Sequence, residues 1–216
     1  MMMNVKKGGS EMTKIKRIMT GIIQENCYII YQDKVALIVD PGDEASKIEA
    51  EIAKLEVKPV AVLLTHCHYD HIGALEEIRK TYNIPVYVSP LEQEWLSNPE
   101  LNLSAHIAGK AIIAQPAENE FTLGEYSIEG FRFKVVPTPG HSIGSVSFIF
   151  DDFVVVGDAL FKGSIGRTDL YTGDFDMLIN SIKTQLFVLP DDFPAYSGHG
   201  DATTIGHEKK TNPYFN

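Results

Sequence analysis

A β-hairpin near the start of the chain is predicted by two apolar runs, CYIIYQ (27–32) and VALIVD (35–40). Both runs are rich in β-branched residues, and the polar pair Asp33–Lys34 between them suits a turn. A third run, VAVLLT (60–65), is apolar throughout, which is typical of a strand buried on both faces of a sheet. The segment PVYVS (85–89) predicts a further strand.

Helices are predicted where apolar residues recur every three or four positions. Segment 44–56 places Ile48, Ile52 and Leu55 on one helix face. Segment 73–82 is expected to form a second helix.

The rest of the chain continues this alternation of strands and helices. We expect mixed helix and loop over 90–111, strands within 125–140, a hairpin within 146–161 that turns near Asp151–Asp152, a helix over 177–189, and a short strand that runs into a loop within 194–200. Because strands come in groups and helices follow each group, a mixed-sheet architecture with outer helices is predicted.

Composition limits the classes of function. The 216 residues are enough for one domain with a sizeable core, and we expect a disordered polar segment over 1–12 and a single domain over 13–216. The chain has 19 Lys and Arg against 29 Asp and Glu, a net charge of −10. This charge argues against nucleic acid or an anionic membrane as the main partner.

The remaining composition suggests a cytoplasmic protein. The N-terminus has no apolar signal segment, and no stretch approaches the ~20 apolar residues of a membrane span. Two cysteines, Cys27 and Cys67, do not make a disulfide framework, so we expect reduced thiols. The sequence does not indicate an oligomeric state.

Potential metal ligands concentrate directly after the third apolar run, in LLTHCHYDHI (63–72). In extended geometry His66 and His68 point to the same side, so two imidazoles can share one metal ion. Asp70 and His71 follow one turn later and can complete that site or bind a second ion. Cys67 points to the opposite side, into the core, and is expected to be a spacer. Imidazole and carboxylate ligands without thiolate suit Zn, Fe or Mn.

Three further segments each bring one polar residue to a glycine-bounded turn after an apolar or β-rich run. They are VVPTPGHSIGSV with His141, FVVVGDALF with Asp158, and PAYSGHGD with His199. Glycine permits tight turns at strand ends. Each residue alone is typical of an ordinary turn, but together they supply the ligands that the first cluster lacks.

The ordered segments THCHYDHIGA, PTPGHSIGSV, VVVGDALF and SGHG resemble the motifs of the metallo-β-lactamase-fold hydrolases. The resemblance covers nearly the whole chain from about residue 14 onward. It implies an α/β (α+β) fold, a four-layer αβ/βα sandwich of two mixed β-sheets flanked by helices. It also implies two divalent metal ions, with Zn²⁺ expected and Fe or Mn as alternatives.

The resemblance further implies which residues hold these ions. The implied ligands are His66, His68 and His141 for the first ion, Asp70, His71 and His199 for the second, and Asp158 as a bridge between them. Asp70 and Asp158 are also the implied catalytic residues. The implied reaction is attack on a thioester carbonyl carbon by a hydroxide that bridges the two ions, with Asp70 orienting the hydroxide.

Within the superfamily, the loop FKGSIGRTDL (161–170) resembles glyoxalase II and its persulfide dioxygenase relatives, as do QENCYII and NLS (102–104). In glyoxalase II a basic residue after the bridging aspartate contacts the glycine carboxylate of glutathione. Arg167 matches that position, and Tyr171 is expected to line the same pocket. Asp169 stands where the larger enzymes carry tyrosine.

The resemblance is to the short, single-domain glyoxalase II-like branch, the hydroxyacylglutathione hydrolases. The C-terminal helical domain that adds glutathione contacts in the larger enzymes is expected to be absent. The implied partner is a small-molecule thioester, S-lactoylglutathione or another hydroxyacyl thioester.

Other functions stay open at this point. A mono-iron persulfide dioxygenase-like enzyme shares the loop motifs. A lactonase, β-lactamase-like hydrolase or nuclease is a further alternative; the aspartate bridge departs from class B lactamases, and the negative charge disfavours a nuclease. A metal-stabilised binding module without turnover is disfavoured, because all seven ligand positions are filled.

Several residues outside the ligand set have expected supporting roles. Thr65 and Asp40 lie at strand ends, where we expect hydrogen bonds to ligand histidines. Arg167 and Asp169 are expected to pair, either to shape the loop or to hold the arginine for an anion. His106 and His207 are expected to be surface or structural residues.

Overall fold

Two mixed β-sheets form the centre of the fold in the computed structural model, which describes residues 12–106 and 111–216. The first sheet has six strands in the spatial order of the chain: β1 (Lys14–Thr20), β2 (Glu25–Gln32), β3 (Val35–Val39), β4 (Lys58–Leu63), β5 (Val86–Val88) and β6 (Asn119–Glu120). The first three strands are antiparallel, whereas β3 to β6 run parallel. The predicted hairpin is confirmed, with Tyr28 opposite Val39.

The second sheet comes from the second half of the chain. Its strands are β7 (Gly124–Ile128), β8 (Phe131–Pro137), β9 (Val146–Ile149), β10 (Val154–Gly157), β13 (Pro194–Ser197) and β14 (Thr203–Thr204), in the spatial order β14-β13-β10-β9-β8-β7. Strands β10 and β13 are parallel, and the other neighbours are antiparallel. A separate small hairpin, β11 (Leu160–Phe161) and β12 (Ser164–Ile165), follows β10.

Helices cover the outer faces of the sheets. They are α1 (Ala45–Leu55), α2 (Tyr69–Ile72), α3 (Leu75–Tyr82), α4 (Phe175–Ser181) and α5 (Ile205–Thr211). Short 3₁₀ segments occupy Pro90–Ser97 and Ser104–His106, and a π-helical turn, Ile182–Leu186, extends α4.

Three hydrophobic cores correspond to the three interfaces between four layers. The first core joins the first sheet to α1 and α3, for example Ile38 with Ile48. The middle core lies between the sheets and includes Leu37 and Phe148. The third core joins the second sheet to α4 and α5. The predicted four-layer αβ/βα sandwich is therefore confirmed.

The strand period assigns side chains to these cores. In β2, Cys27 and Ile29 belong to the outer core, whereas Tyr28 and Ile30 belong to the middle core. All four are buried because both faces of the sheet are covered. This burial explains why the run is apolar at successive positions.

The structure differs from the predictions at several helix boundaries, and it contains elements that were not predicted, among them β1 and α5. The helix predicted over 73–82 begins at Leu75, after the separate short α2. The helix predicted over 177–189 begins at Phe175 and ends with the π-helical turn at Leu186. Strand β1 was not predicted, because KIKRIMT is an edge strand with alternating exposed charges rather than an apolar run.

Two further expectations concern the N-terminal segment and membrane-spanning helices. The expected disorder over 1–12 falls on residues 1–11, which lie outside the described residues. Among residues 12–106 and 111–216, no helix has the length and apolar character needed to cross a bilayer.

A buried carboxylate, Glu208, ties the C-terminal helix to the small hairpin. Its Oε2 accepts hydrogen bonds from Gly163 N (2.9 Å) and Asn212 Nδ2 (2.8 Å), and its Oε1 accepts one from Thr203 Oγ1. Asn212 Nδ2 also donates to Ser164 O at 2.9 Å. The helix thereby holds a hairpin that adjoins the candidate site described below.

We expect Glu208→Ala to lower the free energy of unfolding by about 2–4 kcal/mol, because three donors, two of them in buried hydrogen bonds, lose their acceptor. Urea denaturation measures the change. The control is Glu77→Ala on the exposed face of α3, which should stay within about 0.5 kcal/mol of the unmodified protein. Equal effects of the two substitutions would contradict this role of Glu208.

Candidate metal centre

All seven predicted ligands converge at one edge of the sandwich. The first four follow β4, and each of the others follows a strand of the second sheet, β8, β10 or β13. Because β10 and β13 run parallel and β8 has the same direction, their carboxyl ends meet at that edge. The sheet topology therefore brings together segments that are far apart in sequence.

His66, His68 and His141 form the first group, with ligand atoms within 4.8 Å of one another. His66 Nδ1 lies 3.1 Å from Thr65 Oγ1, and His141 Nδ1 lies 2.8 Å from the backbone oxygen of Arg167. These contacts leave the Nε2 atoms of both rings to face the site. His68 Nδ1 lies 2.9 Å from His141 Nε2.

Asp70, His71 and His199 form the second group, again within 4.8 Å. Asp70 Oδ2 lies 3.0 Å from His199 Nε2 and 3.5 Å from His71 Nε2. The structure thus places two side chains of the HCHYDH segment in each group, which is the division that the family resemblance implied.

Asp158 lies between the two groups. Its Oδ1 is 3.4 Å from His71 Nε2, and its Oδ2 is 3.5 Å from His141 Nε2 and 3.7 Å from His199 Nε2. The neighbouring loop approaches closely because residue 198 is glycine. A Cβ atom on Gly198 would lie 2.1 Å from Asp158 Oδ1.

The donor set fits divalent metal ions. His66 Nε2, His71 Nε2 and Asp158 Oδ1 are buried without a hydrogen-bond partner among the described residues. Buried polar atoms normally have partners, so these atoms call for a group that accepts their lone pairs. Imidazole nitrogens and carboxylate oxygens are ligands for Zn, Fe and Mn, and no thiolate is within the three groups of candidate ligands.

Burial keeps two of the histidines neutral. Burial and the charge of His71 hold the pKa of His66 well below its usual range. Burial also lowers the pKa of His68 to about 3. Both rings are therefore uncharged at neutral pH, which is the form that binds metal.

The second group behaves differently without metal. Burial alone would lower the pKa of His71, but the charges of Asp70 and Asp158 raise it well above the ordinary value. Burial likewise opposes protonation of His199, but its hydrogen bond to Asp70 and the charge of Asp158 raise the pKa. Without metal, protons on these two rings offset the negative charges of Asp70 and Asp158. Bound metal ions would take over that role.

Asp40 positions the second group by contacting His71 at Nδ1, the ring nitrogen that faces away from the candidate ligand atoms. Its Oδ1 accepts from Thr65 N at 2.7 Å, and its Oδ2 accepts from Thr65 Oγ1 at 2.6 Å and lies 3.0 Å from His71 Nδ1. The expected supporting hydrogen bonds of Thr65 and Asp40 are confirmed. Asp40 also lies in a group with His66 and His71, but both its oxygens are engaged, so it acts as a support.

Sequence reasoning missed two buried acids that support the site. Glu92 accepts hydrogen bonds from Cys67 N (2.6 Å) and Gly144 N (2.9 Å), and also from Ser142 Oγ. It thereby joins the two segments that carry the first histidine group. Burial raises the pKa of Glu92.

The second missed acid is Glu25, at the start of β2. It is fully buried, and its Oε2 accepts from Thr20 Oγ1 at 2.6 Å. Its Oε1 lies 3.8 Å from His71 Nδ1, and its backbone forms an isolated bridge with His199. Nothing in a sequence pattern separates these two glutamates from surface residues.

Cys67 is buried in the outer core, as predicted. Burial raises the pKa of its thiol well above the usual value, so the sulfur stays protonated. His106 is exposed, 3.6 Å from Glu100, and His207 is half exposed at the start of α5. Neither histidine contributes to the groups of candidate ligands among the described residues.

A cavity of about 360 Å³ opens onto the cluster. Its lining includes Asp70, Asp158, Phe161 and Arg167. Arg167 is 61% exposed and forms two hydrogen bonds to Asp169, at 2.7 and 2.8 Å.

Tyr171 is not among the side chains that line this cavity. Its ring is exposed and packs against Trp95, with centroids 5.9 Å apart, and Trp95 in turn contacts His68. Tyr171 is therefore connected to the site through Trp95.

We expect Asp40→Asn to weaken metal binding about 10- to 100-fold, because an amide does not hold His71 in the same tautomer. Zn²⁺ competition against a chromophoric chelator measures the affinity. Asp33→Asn is a matched control, since Asp33 is exposed and has nearly the same left-handed φ, +49° against +47°. Equal affinities for the two variants would contradict the role of Asp40.

Metal uptake should release protons at pH 7, because His71 and His199 must lose them to bind an ion. Affinity should then fall with decreasing pH, beginning above 6.5, the ordinary histidine value. Calorimetric titration with Zn²⁺ in buffers of different ionisation enthalpy measures the release. A binding heat that is independent of the buffer would contradict this expectation.

Comparisons with known proteins agree with this geometry. A family model described as the metallo-beta-lactamase superfamily matches residues 20–199. The probable metallo-hydrolase M6_Spy0554 of Streptococcus pyogenes is 48% identical over 209 residues, covering 94% of this chain and 90% of that protein. The hydroxyacylglutathione hydrolase GloC of Haemophilus influenzae is 37% identical over 198 residues, covering 89% and 93%.

Solved structures show the same similarity. The BLEG-1 B3 metallo-beta-lactamase superposes with a TM-score of 0.91 at 42% identity, covering 94% of this chain and 100% of that one. TTHA1623 in a di-iron-bound form gives 0.82 at 36% identity, covering 92% and 99%. The family match and the His/Asp cluster imply divalent metal ions. The chain belongs to the metallo-β-lactamase superfamily, as a metallo-hydrolase.

Proposed function

We propose that this protein is a glyoxalase II-like thioesterase that hydrolyses S-lactoylglutathione or a related hydroxyacyl thioester. The observation that carries the proposal is the cavity that joins the seven-residue cluster to Arg167. The lining of the cavity has candidate metal ligands at one place, and at another it has Arg167, a cation that can bind an anionic thiol carrier. The 37% identity to a hydroxyacylglutathione hydrolase supports the same substrate class.

The proposal assigns two ion sites to the cluster. His66, His68 and His141 would hold one divalent ion, Asp70, His71 and His199 would hold the other, and Asp158 would serve both. Bound divalent ions supply a Lewis acid for a carbonyl oxygen and lower the pKa of water. Zn²⁺ is the proposed ion, and Fe or Mn suits the same ligands.

In this proposal Asp70 orients the attacking water. Its carboxylate borders the cavity and its Oδ2 lies 3.0 Å from His199 Nε2. Burial alone would raise the pKa of Asp70, but the charge of His71 and the hydrogen bond to His199 lower it. The carboxylate therefore stays ionised at neutral pH and accepts a hydrogen bond from water.

Arg167 recognises the thiol carrier in this proposal. Its pair with Asp169 is exposed, and exposed ion pairs contribute little to stability because solvent screens them. A substrate carboxylate can therefore share or replace Asp169 at the guanidinium at little cost. Asp169 keeps the arginine directed along the loop until then.

We expect Arg167→Ala to raise KM for S-lactoylglutathione about tenfold while kcat changes little, because a binding contact remote from the reacting bond is lost. Steady-state kinetics with the metal-loaded enzyme measures both constants. The control is Arg132→Ala, an exposed arginine on β8. A fall in kcat at unchanged KM would contradict the assigned role.

A second candidate is β-lactam hydrolysis. It is favoured by the similarity to the BLEG-1 B3 metallo-beta-lactamase, at 42% identity over the whole of that chain. Both reactions need an activated water and a polarised carbonyl, so the metal cluster alone does not separate them. The position of Arg167 beside the cavity favours the thioester.

The test uses protein loaded separately with Zn²⁺, Fe²⁺ and Mn²⁺. Each form is assayed on S-lactoylglutathione, a chromogenic β-lactam, a lactone, and a glutathione persulfide with oxygen uptake recorded. The proposal predicts that thioester hydrolysis gives the highest kcat/KM and is lost in Asp158→Ala but kept in Asp152→Ala, which changes an exposed turn residue. Preferred β-lactam turnover, or oxygen uptake by an iron form alone, would overturn it.

A further inference from the structure

A second, smaller cavity adjoins the one at the metal cluster. It has a volume of about 160 Å³. Three residues, Ile23, Tyr69 and Asp70, line both cavities. The smaller cavity therefore begins beside the reacting groups and extends toward the turn between β1 and β2.

The two cavities differ in charge. Arg167 is the cationic side chain, apart from histidines, among the residues that line the larger cavity. Among residues 12–106 and 111–216, the lining of the smaller cavity includes no lysine or arginine, and its ionisable groups besides Tyr69 are Asp43 and Asp70. Its apolar lining comes from Ile22, Ile23 and Ile112. An anionic group is therefore favoured near Arg167 and disfavoured in the smaller cavity.

We propose that the smaller cavity is an acyl subsite that binds the neutral, apolar part of a thioester's acyl group. This inference rests on the proposed thioesterase function. The two halves of a thioester extend in different directions from the carbonyl carbon, which must lie at the cluster. If the anionic thiol half lies toward Arg167, the acyl half lies toward Ile23 and the smaller cavity.

The volume sets the size of acyl group that the subsite accepts. An apolar cavity of about 150 Å³ holds a molecule the size of benzene. The acyl subsite is therefore large enough for a chain of about six carbons. The natural substrates then include aliphatic acyl thioesters longer than the lactoyl group.

The test uses a series of unbranched acyl-glutathione thioesters, from acetyl to hexanoyl, with the metal-loaded enzyme. Because the thiol half is constant, differences in kcat/KM report the acyl group alone. Burial of one methylene favours binding by a factor of about four. The subsite predicts a rise of this order with each methylene until the cavity is filled.

Two isoleucines provide matched variants. Ile112→Trp fills the acyl subsite and should abolish the preference for hexanoyl over acetyl. Ile113→Trp makes the same change at the next residue, which is 64% exposed and does not line the cavity, and should keep the preference. Ile23→Ala, at an exposed turn that tolerates truncation, should reduce the preference as well.

The outcomes separate the two proposals. A rising series that collapses in Ile112→Trp but not in Ile113→Trp supports the acyl subsite. Hydrolysis that is independent of chain length, or equal effects of both tryptophans, overturns the subsite and leaves the thioesterase function standing. No hydrolysis of any thioester overturns both.

Discussion

Buried imidazole and carboxylate atoms without protein partners are the constraint on which the rest of this structure depends. Atoms such as His66 Nε2 and Asp158 Oδ1 lose water on folding and gain no hydrogen bond in return. Their presence at one place is costly unless ions or protons complete them. Raised pKa values at His71 and His199 show how the protein compensates its carboxylates without metal. Bound metal ions would offset the cost of burying these atoms, which explains why the fold keeps the cluster.

The supports of the cluster are themselves buried acids. Asp40 holds His71 and the Thr65 backbone, and Glu92 joins the loops of His68 and His141. Glu208 connects the C-terminal helix to the hairpin that lines the cavity. Each carboxylate accepts hydrogen bonds from several donors, at least one of which is distant in sequence. Hydrogen bonds between segments, rather than local helix or strand propensity, therefore hold the side chains of the site in place.

The convergence of the seven candidate ligands could be predicted from sequence, because each one follows a strand and metal-binding chemistry is restricted to a few residue types. Pleat geometry alone placed Cys67 away from His66 and His68, and the core contacts agree. Glu25 and Glu92 could not be predicted, because their partners come from other segments once the sheets pack. The same limit applies to Tyr171, whose packing on Trp95 depends on two loops, and to the ends of α4, where a π-helical turn replaces the regular period.

Metal stoichiometry tests the central claim, that one cluster forms two ion sites that share Asp158. Native mass spectrometry of the Zn²⁺-loaded protein should show two ions per chain. His199→Ala, which removes a ligand of the second group only, should retain one. A single ion in the unmodified protein, or two ions retained in His199→Ala, would contradict the division of these seven side chains into two sites.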